Sequence, residues 1–242
     1  MPNPPPDEWL KITPEGLYCA PGDFLIDPMR PAARALVTHG HADHARYGHQ
    51  QVFATEETLA IMQLRYGMDS GKHKQVMTYG ETVRIGEVDV TFAPAGHILG
   101  SAQAILDYGG SRIIVSGDYK RRRDPTCPPF MPHACDIFIT EATFGLPVFR
   151  HPPDHTQIAK LLASVQLYPE RAHLVGAYAL GKCQRIICLL REAGYHETVY
   201  LHGALMQMCQ LYTDYGVDLG SVAALPEKDK EGMKGKIVLA PP

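Results

Sequence analysis

Short apolar runs that break at a glycine, a proline or a polar cluster fill the first 145 or so positions of the chain. "DFLIDP" (23–28), "ARALVTHG" (33–40) and "QQVFAT" (50–55) read as buried strands. Thr55 then caps a helical stretch, "EETLAIMQLRYG", that stops at Gly67. "ETVRIGEVDVTFAPAGH" and "SAQAILDYGGSRIIVSGD" alternate and turn at glycine, which predicts two hairpins. "CDIFITEAT" (135–143) is one more buried strand, with an acid at its end. Many strands ending in polar groups, with few helices between them, predict a sheet-rich α/β layer structure with its site at the strand ends.

The texture changes after "FGLPVFRHPPDH" (144–155). Helical stretches begin at Thr156, Gly181 and Ala204, with apolar strands at 173–178 and 198–203 between them and a last one at 235–242. This αβ alternation predicts a second domain around a small parallel sheet. The division is expected near the prolines, giving residues 1–148 and 149–242. The chain stops on the strand ending Ala240-Pro241-Pro242, so the sequence is expected to be incomplete.

Composition changes this picture little. At 242 residues, 45% hydrophobic and 20% charged, the chain is an ordinary globular protein. A net charge of −3 carries no global nucleic-acid signature, so a polyanion site has to be local. The absence of a long apolar window or a basic leader argues against export and membrane insertion. Six cysteines without a CxxC pair read as reduced thiols of a cytoplasmic protein.

The twelve histidines are unevenly spread, and "VTHGHADHA" (37–45) holds three of them. On extended backbone, positions i and i+2 share a face, so His39 and His41 can reach one point together. A turn after them would aim Asp43 and His44 at a second point. Imidazole and carboxylate suit borderline divalent metals such as zinc, with manganese or iron as alternatives. One histidine here would be a polar loop residue; HxHxDH behind a buried strand points to two cations. "APAGHILGSA" supplies His97 and "VSGDY" supplies Asp118. His39, His41 and His97 would leave one tetrahedral ion with an open position. Asp43, His44 and Asp118 would hold the other, with Asp118 bridging. Two ions about 3.5–4 Å apart activate water and clamp a phosphoryl group.

These motifs resemble the metallo-β-lactamase fold hydrolases: His39-Gly-His41-Ala-Asp43-His44 with Asp27 before it and His97 and Asp118 after it. The resemblance implies an αβ/βα sandwich with the dinuclear site along one edge, and Asp27 supporting that site without binding metal. Within the family, "GDYKRRRD" favours nucleic acid, because Lys120, Arg121, Arg122 and Arg123 stand beside a proposed ligand. Glu141 in "FITEATFG" matches the acidic motif that opens the β-CASP insertion, where such an acid helps order the site.

The chain is most similar to the bacterial ligase-associated DNA exonucleases, also described as mRNA 3′-end processing factors, through "TEATFGLPVFRHP", "VGAYALGKCQRIICLLREAGY" and "YLHGAL". That implies a DNA exonuclease of DNA repair, with single-stranded DNA or RNA ends as substrate and an ATP-dependent DNA ligase and Lhr-like helicase as partners. Asp43 and Asp118 would hold and orient the attacking water. Complete members carry two later histidine motifs, one of which completes the second metal site. His202, His151 and His155 are not expected to replace them. The competing expectations are an RNA 3′-end processing nuclease, a thioesterase or lactamase-type hydrolase, and a non-catalytic scaffold.

Overall fold

The structure, a computed structural model, describes residues 5–229 and 231–242. Internal contacts divide the chain into two compact units, Met1–Ala142 and Thr143–Pro242.

The first unit is built on two sheets. After a short helix α1 (Pro6–Trp9), strands β1 (Leu10–Thr13), β2 (Gly16–Cys19), β3 (Phe24–Ile26), β4 (Arg34–Leu36) and β5 (Gln51–Ala54) are laid down in order. Helix α2 (Glu56–Tyr66) and a 3-10 turn (Gly67–Ser70) lead to β6 (His73–Val76). The sheet order is β1-β2-β3-β4-β5-β6, antiparallel up to β3 and parallel from β3 onward. The second sheet holds β7 (Thr82–Ile85), β8 (Val88–Pro94), β9 (Ala102–Tyr108), β10 (Ser111–Val115) and β11 (Ile137–Ile139), in the order β11-β10-β9-β8-β7. The hairpins β7–β8 and β9–β10 are antiparallel, as the alternation predicts, and β11 runs parallel to β10.

Alternation also explains the packing. Val88, Val90 and Phe92 of β8 and Ala102, Ala104 and Leu106 of β9 point inward to Phe24, Ile26, Leu36 and Phe53 of the other sheet. The opposite face of the first sheet packs Ala35, Val37, Val52 and Ala54 under Leu59 and Met62 of α2. Thr55 caps that helix by accepting from the Thr58 amide, and Gly67 ends it at φ 55°. On the outer face of the second sheet, Cys135 packs on Ala93, Ile105 and Ile114. Among the described residues of this unit, no helix lies there.

Strands β1, β2 and β6 are not expected from the sequence. "LKIT" and "HKQV" lack a clean apolar alternation and their side chains are largely exposed. Pairing with a preformed neighbour, β6 on β5 for example, supplies the backbone partners that propensity does not.

The second unit is a four-stranded parallel sheet in the order β12-β15-β13-β14. Its elements are α3 (Asp154–Leu167), β12 (His173–Gly176), α4 (Lys182–Glu192), β13 (Val199–Leu201), α5 (Gly203–Asp214), β14 (Val222–Ala224) and β15 (Ile237–Ala240). The last strand therefore lies between β12 and β13 rather than at an edge. Ile187 and Leu190 of α4 and Leu205 and Tyr212 of α5 are fully buried.

Candidate metal centre

Strand β4 stops at Leu36, so His39 and His41 lie past its end, in a loop. Strand alternation is therefore not what brings their rings together. The loop does it: the Ala45 and His44 amides both donate to the His41 carbonyl, at 2.7 and 3.1 Å, and the chain turns there. His97 sits in the turn after β8, where Ser101 Oγ accepts from the amides of His97 and Ile98, both at 3.1 Å. Asp118 follows β10 after Gly117, which has φ 54° and packs against Thr38.

These loops converge. His39 Nε2 and His97 Nε2 each lie 3.1 Å from His41 Nδ1. Asp118 Oδ2 lies 3.8 Å from His39 Nε2 and 3.6 Å from His97 Nε2. The ligand atoms of these four residues are all within 4.8 Å of one another. A tetrahedral ion with bonds of about 2.0–2.1 Å has donor–donor edges of roughly 3.4 Å, and the observed spacings bracket that value.

Proton positions follow from the partners. Thr38 Oγ1 gives its single proton to Asp27 Oδ2 at 2.6 Å. Toward His39 Nδ1, 3.1 Å away, it can then only accept, so His39 carries its proton on Nδ1 and turns the Nε2 lone pair to the centre. His44 Nδ1 donates to Asp27 Oδ2 at 2.7 Å, which frees its Nε2 to face Asp118 Oδ1 at 3.4 Å and Asp43 Oδ2 at 3.7 Å. The Asp27 carboxylate also takes the Thr38 amide at 2.8 Å. With three donors served, it acts as an anchor, although it lies within reach of His39 and His44.

The fields separate the two sides of the centre. Burial, then repulsion from His44, His41 and His97, holds His39 well below the ordinary histidine range. Burial and His41 push His97 down to about 4 against the pull of Asp118. His44 is also buried, but its bonds to Asp118 and Asp27 outweigh that and raise it to about 10. The same His44 bond keeps the Asp118 carboxylate below its usual range. His39 and His97 are thus held neutral, while His44 is held as an imidazolium paired with the Asp118 carboxylate.

Other predicted residues fall outside this group. Asp43 is largely exposed, its side chain 73% accessible, and it belongs to neither cluster of donors. Glu141 follows β11, its amide 3.4 Å from Ser116 Oγ, and it also lies outside both clusters. Lys120 has a different place from its neighbours: its ammonium is bound by the buried Asp124 and reaches the His97 carbonyl at 3.4 Å. Arg121, Arg122 and Arg123 are exposed. In the second unit, His202 caps α5 by accepting from the Ala204 amide, and His151 packs on Phe144.

Sequence reasoning passes over Thr38, Ser101 and Asp124. The first stands directly before His39 in "VTHGH", which is the only local sign of its role.

No protein-family model matches the chain. Among curated proteins, a probable DNA ligase of Opitutus terrae is 31% identical over 234 residues, covering 94% of this chain and 22% of that protein. Ribonuclease TTHA0252 of Thermus thermophilus is 26% identical over 79% of this chain and 48% of its own. Cleavage and polyadenylation specificity factor subunit 3 of Dictyostelium discoideum is 29% identical over 74% of this chain and 28% of its own. The chain thus spans between a fifth and a half of the length of these relatives. A crystal structure of a protein of unknown function from Enterococcus faecalis shares the fold, with a TM-score of 0.57 at 11% identity over 86% of this chain and 58% of that one.

Proposed function

Since the chain is a relative of the metallo-β-lactamase fold nucleases of the β-CASP branch, we propose that it is a dinuclear metal-dependent phosphodiester hydrolase acting on nucleic acid. The observation that carries this reading is the convergence of His39, His41, His97 and Asp118 on one point. His39, His41, His97 and Asp118 Oδ2 would hold one ion; His44 Nε2, Asp118 Oδ1 and Asp43 would contribute to the other, with Asp118 spanning both. Divalent ions of the zinc type, when bound, would make a water acidic enough to ionise near neutral pH and offset charge on a phosphate.

The chain's own residues do the rest. Thr38 fixes the tautomer of His39 so that its Nε2 presents a lone pair, and Asp27 holds the His44 Nδ1 proton so that Nε2 is the atom that would exchange its proton for a cation. Asp43 and Asp118, as carboxylates, would hold and orient the water. Arg121, Arg122 and Arg123, exposed within five residues of Asp118, would gather the phosphate backbone. Lys120 would act less on substrate than on the loop, through Asp124 and the His97 carbonyl. The second unit is the β-CASP-type segment in this reading.

The relatives' names point to two substrates. We favour a DNA exonuclease of DNA repair, because the relative matched over 94% of this chain is described as a DNA ligase, and a ligase is then a natural partner. An RNA-processing nuclease is the second reading, supported by the ribonuclease and polyadenylation-factor relatives.

The test is a set of turnover assays on end-labelled single-stranded DNA, single-stranded RNA and a chromogenic thioester, with metal counted in the same samples. Nucleic-acid cleavage that His41→Ala abolishes together with bound metal is the expected result. Full activity in His41→Ala overturns the assignment, and turnover of the thioester alone replaces the nuclease with a small-molecule hydrolase.

A further inference from the structure

Helix α2 contributes no ligand, yet it is tied to two of the three loops that do. At its N-terminus, Thr55 Oγ1 and Thr58 Oγ1 both donate to the Gly100 carbonyl, at 2.7 and 3.0 Å. Gly100 closes the turn that carries His97. A Cβ on it would lie 2.8 Å from Glu57 Cβ and 2.9 Å from the Thr58 amide, so loop and helix touch backbone to backbone. At the other end, Arg65 Nη1 donates to the Gly40 carbonyl at 2.8 Å. Gly40 lies between His39 and His41, and a Cβ on it would meet Ile61 of α2 at 2.6 Å.

Arg65 is an exposed residue, with its guanidinium over the Tyr66 ring at 5.6 Å. Water would serve its charge as well as a carbonyl does, so its bond to Gly40 is not forced by burial. Arg65 lies seven positions along the helix from Thr58, a rigid span of about 10 Å. The loops are also joined directly, by the Ala102 amide on the Thr38 carbonyl at 2.8 Å. That bond ties them at one place; α2 adds two more ties along a fixed length.

We infer that α2 is a brace for the metal centre, with Arg65 and the Thr55–Thr58 pair as positioning residues that set His41 Nδ1 against His97 Nε2. The inference rests on the metal-centre reading above. Ring nitrogens 3.1 Å apart are already close to the edge length of a tetrahedral site before any cation is present, so the loops that carry them have to be held in register. A helix pinned at both ends supplies that preorganisation.

The test is a titration of the chelator-stripped full chain with Co2+, following its visible absorption bands, for wild type, Arg65→Ala, Arg65→Lys and Thr58→Val. Arg65→Ala is expected to weaken Co2+ binding about tenfold and to shift the bands, and Arg65→Lys to recover most of both. Thr58→Val, which keeps the Thr55 bond, is expected to give a smaller shift in the same direction. Wild-type affinity and spectrum in both Arg65→Ala and Thr58→Val overturn the brace. A loss that leaves the spectrum unchanged, or that Arg65→Lys does not recover, assigns the effect to fold stability and overturns it too. Should Arg65→Ala fail to fold by circular dichroism, an unchanged Thr58→Val overturns the inference alone. Failure of the wild type to bind Co2+ would instead overturn the metal centre itself.

Discussion

Asp27 Oδ2 sits 2.7 Å from His44 Nδ1 while the same carboxylate holds the amide and hydroxyl of Thr38. Asp27 itself adopts φ 45°, a conformation that non-glycine residues rarely take. One carboxylate thereby orients a histidine on each side of the centre, His44 directly and His39 through Thr38.

Asp27→Asn is expected to lower metal affinity by about 10–100-fold, most at the His44 position, because the amide cannot accept from all three donors. Metal analysis after dialysis should then find fewer ions per chain than in wild type. An unchanged count would show that Asp27 is dispensable.

The basic run should divide into two functions. Arg121→Glu with Arg122→Glu is expected to weaken binding to single-stranded DNA and to flatten its salt dependence by about 0.7 in log–log slope for each lost phosphate contact. Parallel salt titrations of wild type and variant check this.

Lys120→Ala should act on stability, since it removes an ammonium that the buried Asp124 binds. A loss on the order of 2 kcal/mol is expected, below the about 3–5 kcal/mol of a fully buried pair because the lysine is partly exposed. Urea denaturation measures it. A Lys120→Ala protein of wild-type stability but with a flattened salt slope would return Lys120 to the substrate-binding group.

Gly117→Ala places a Cβ 2.6 Å from Thr38 Oγ1 at a φ of 54°, between β10 and Asp118. Displacing Thr38 breaks its bonds to Asp27 and His39 together, so stability is expected to fall by about 1–3 kcal/mol and metal to be lost with it. Thermal melts and metal counting on one sample test both.

His49 is buried, its Nδ1 accepts the Ala32 amide at 3.1 Å, and burial lowers its pKa below the ordinary histidine value. The unfolded chain therefore binds a proton more readily than the folded one. Stability is full above the unfolded pKa, near 6.5, and falls as pH drops toward the folded value. His49→Gln, measured metal-free from pH 7 to pH 5, should show a shallower decline than wild type. Equal slopes would assign acid sensitivity to other groups.

Much of the fold is legible along the chain. The hairpins at 81–97 and 101–118 follow from alternation, and the four-stranded parallel sheet from the αβ alternation after residue 150. The candidate ligands stand out because histidines at this density after an apolar strand are hard to explain otherwise. Strand alternation does not account for His39 and His41, since both lie beyond β4 and a turn aligns them. Asp43 stands apart from the donor clusters because its side chain points to solvent, which spacing alone does not reveal.

By itself the sequence determined which side chains are available for chemistry, their order, and the local periodicities that make strands and helices. Those depend on neighbours a few positions apart, so they can be read along the chain. Only the tertiary structure decided which groups share a point, that Asp27 spends its oxygens on Thr38 and His44, that Lys120 answers Asp124, and that Arg65 grips the Gly40 carbonyl. Most of these contacts join positions eleven to twenty-five residues apart, and a hydrogen bond over such a separation leaves no local pattern. Even the Lys120–Asp124 pair, four residues apart, takes its meaning from the burial of Asp124, which depends on the whole fold.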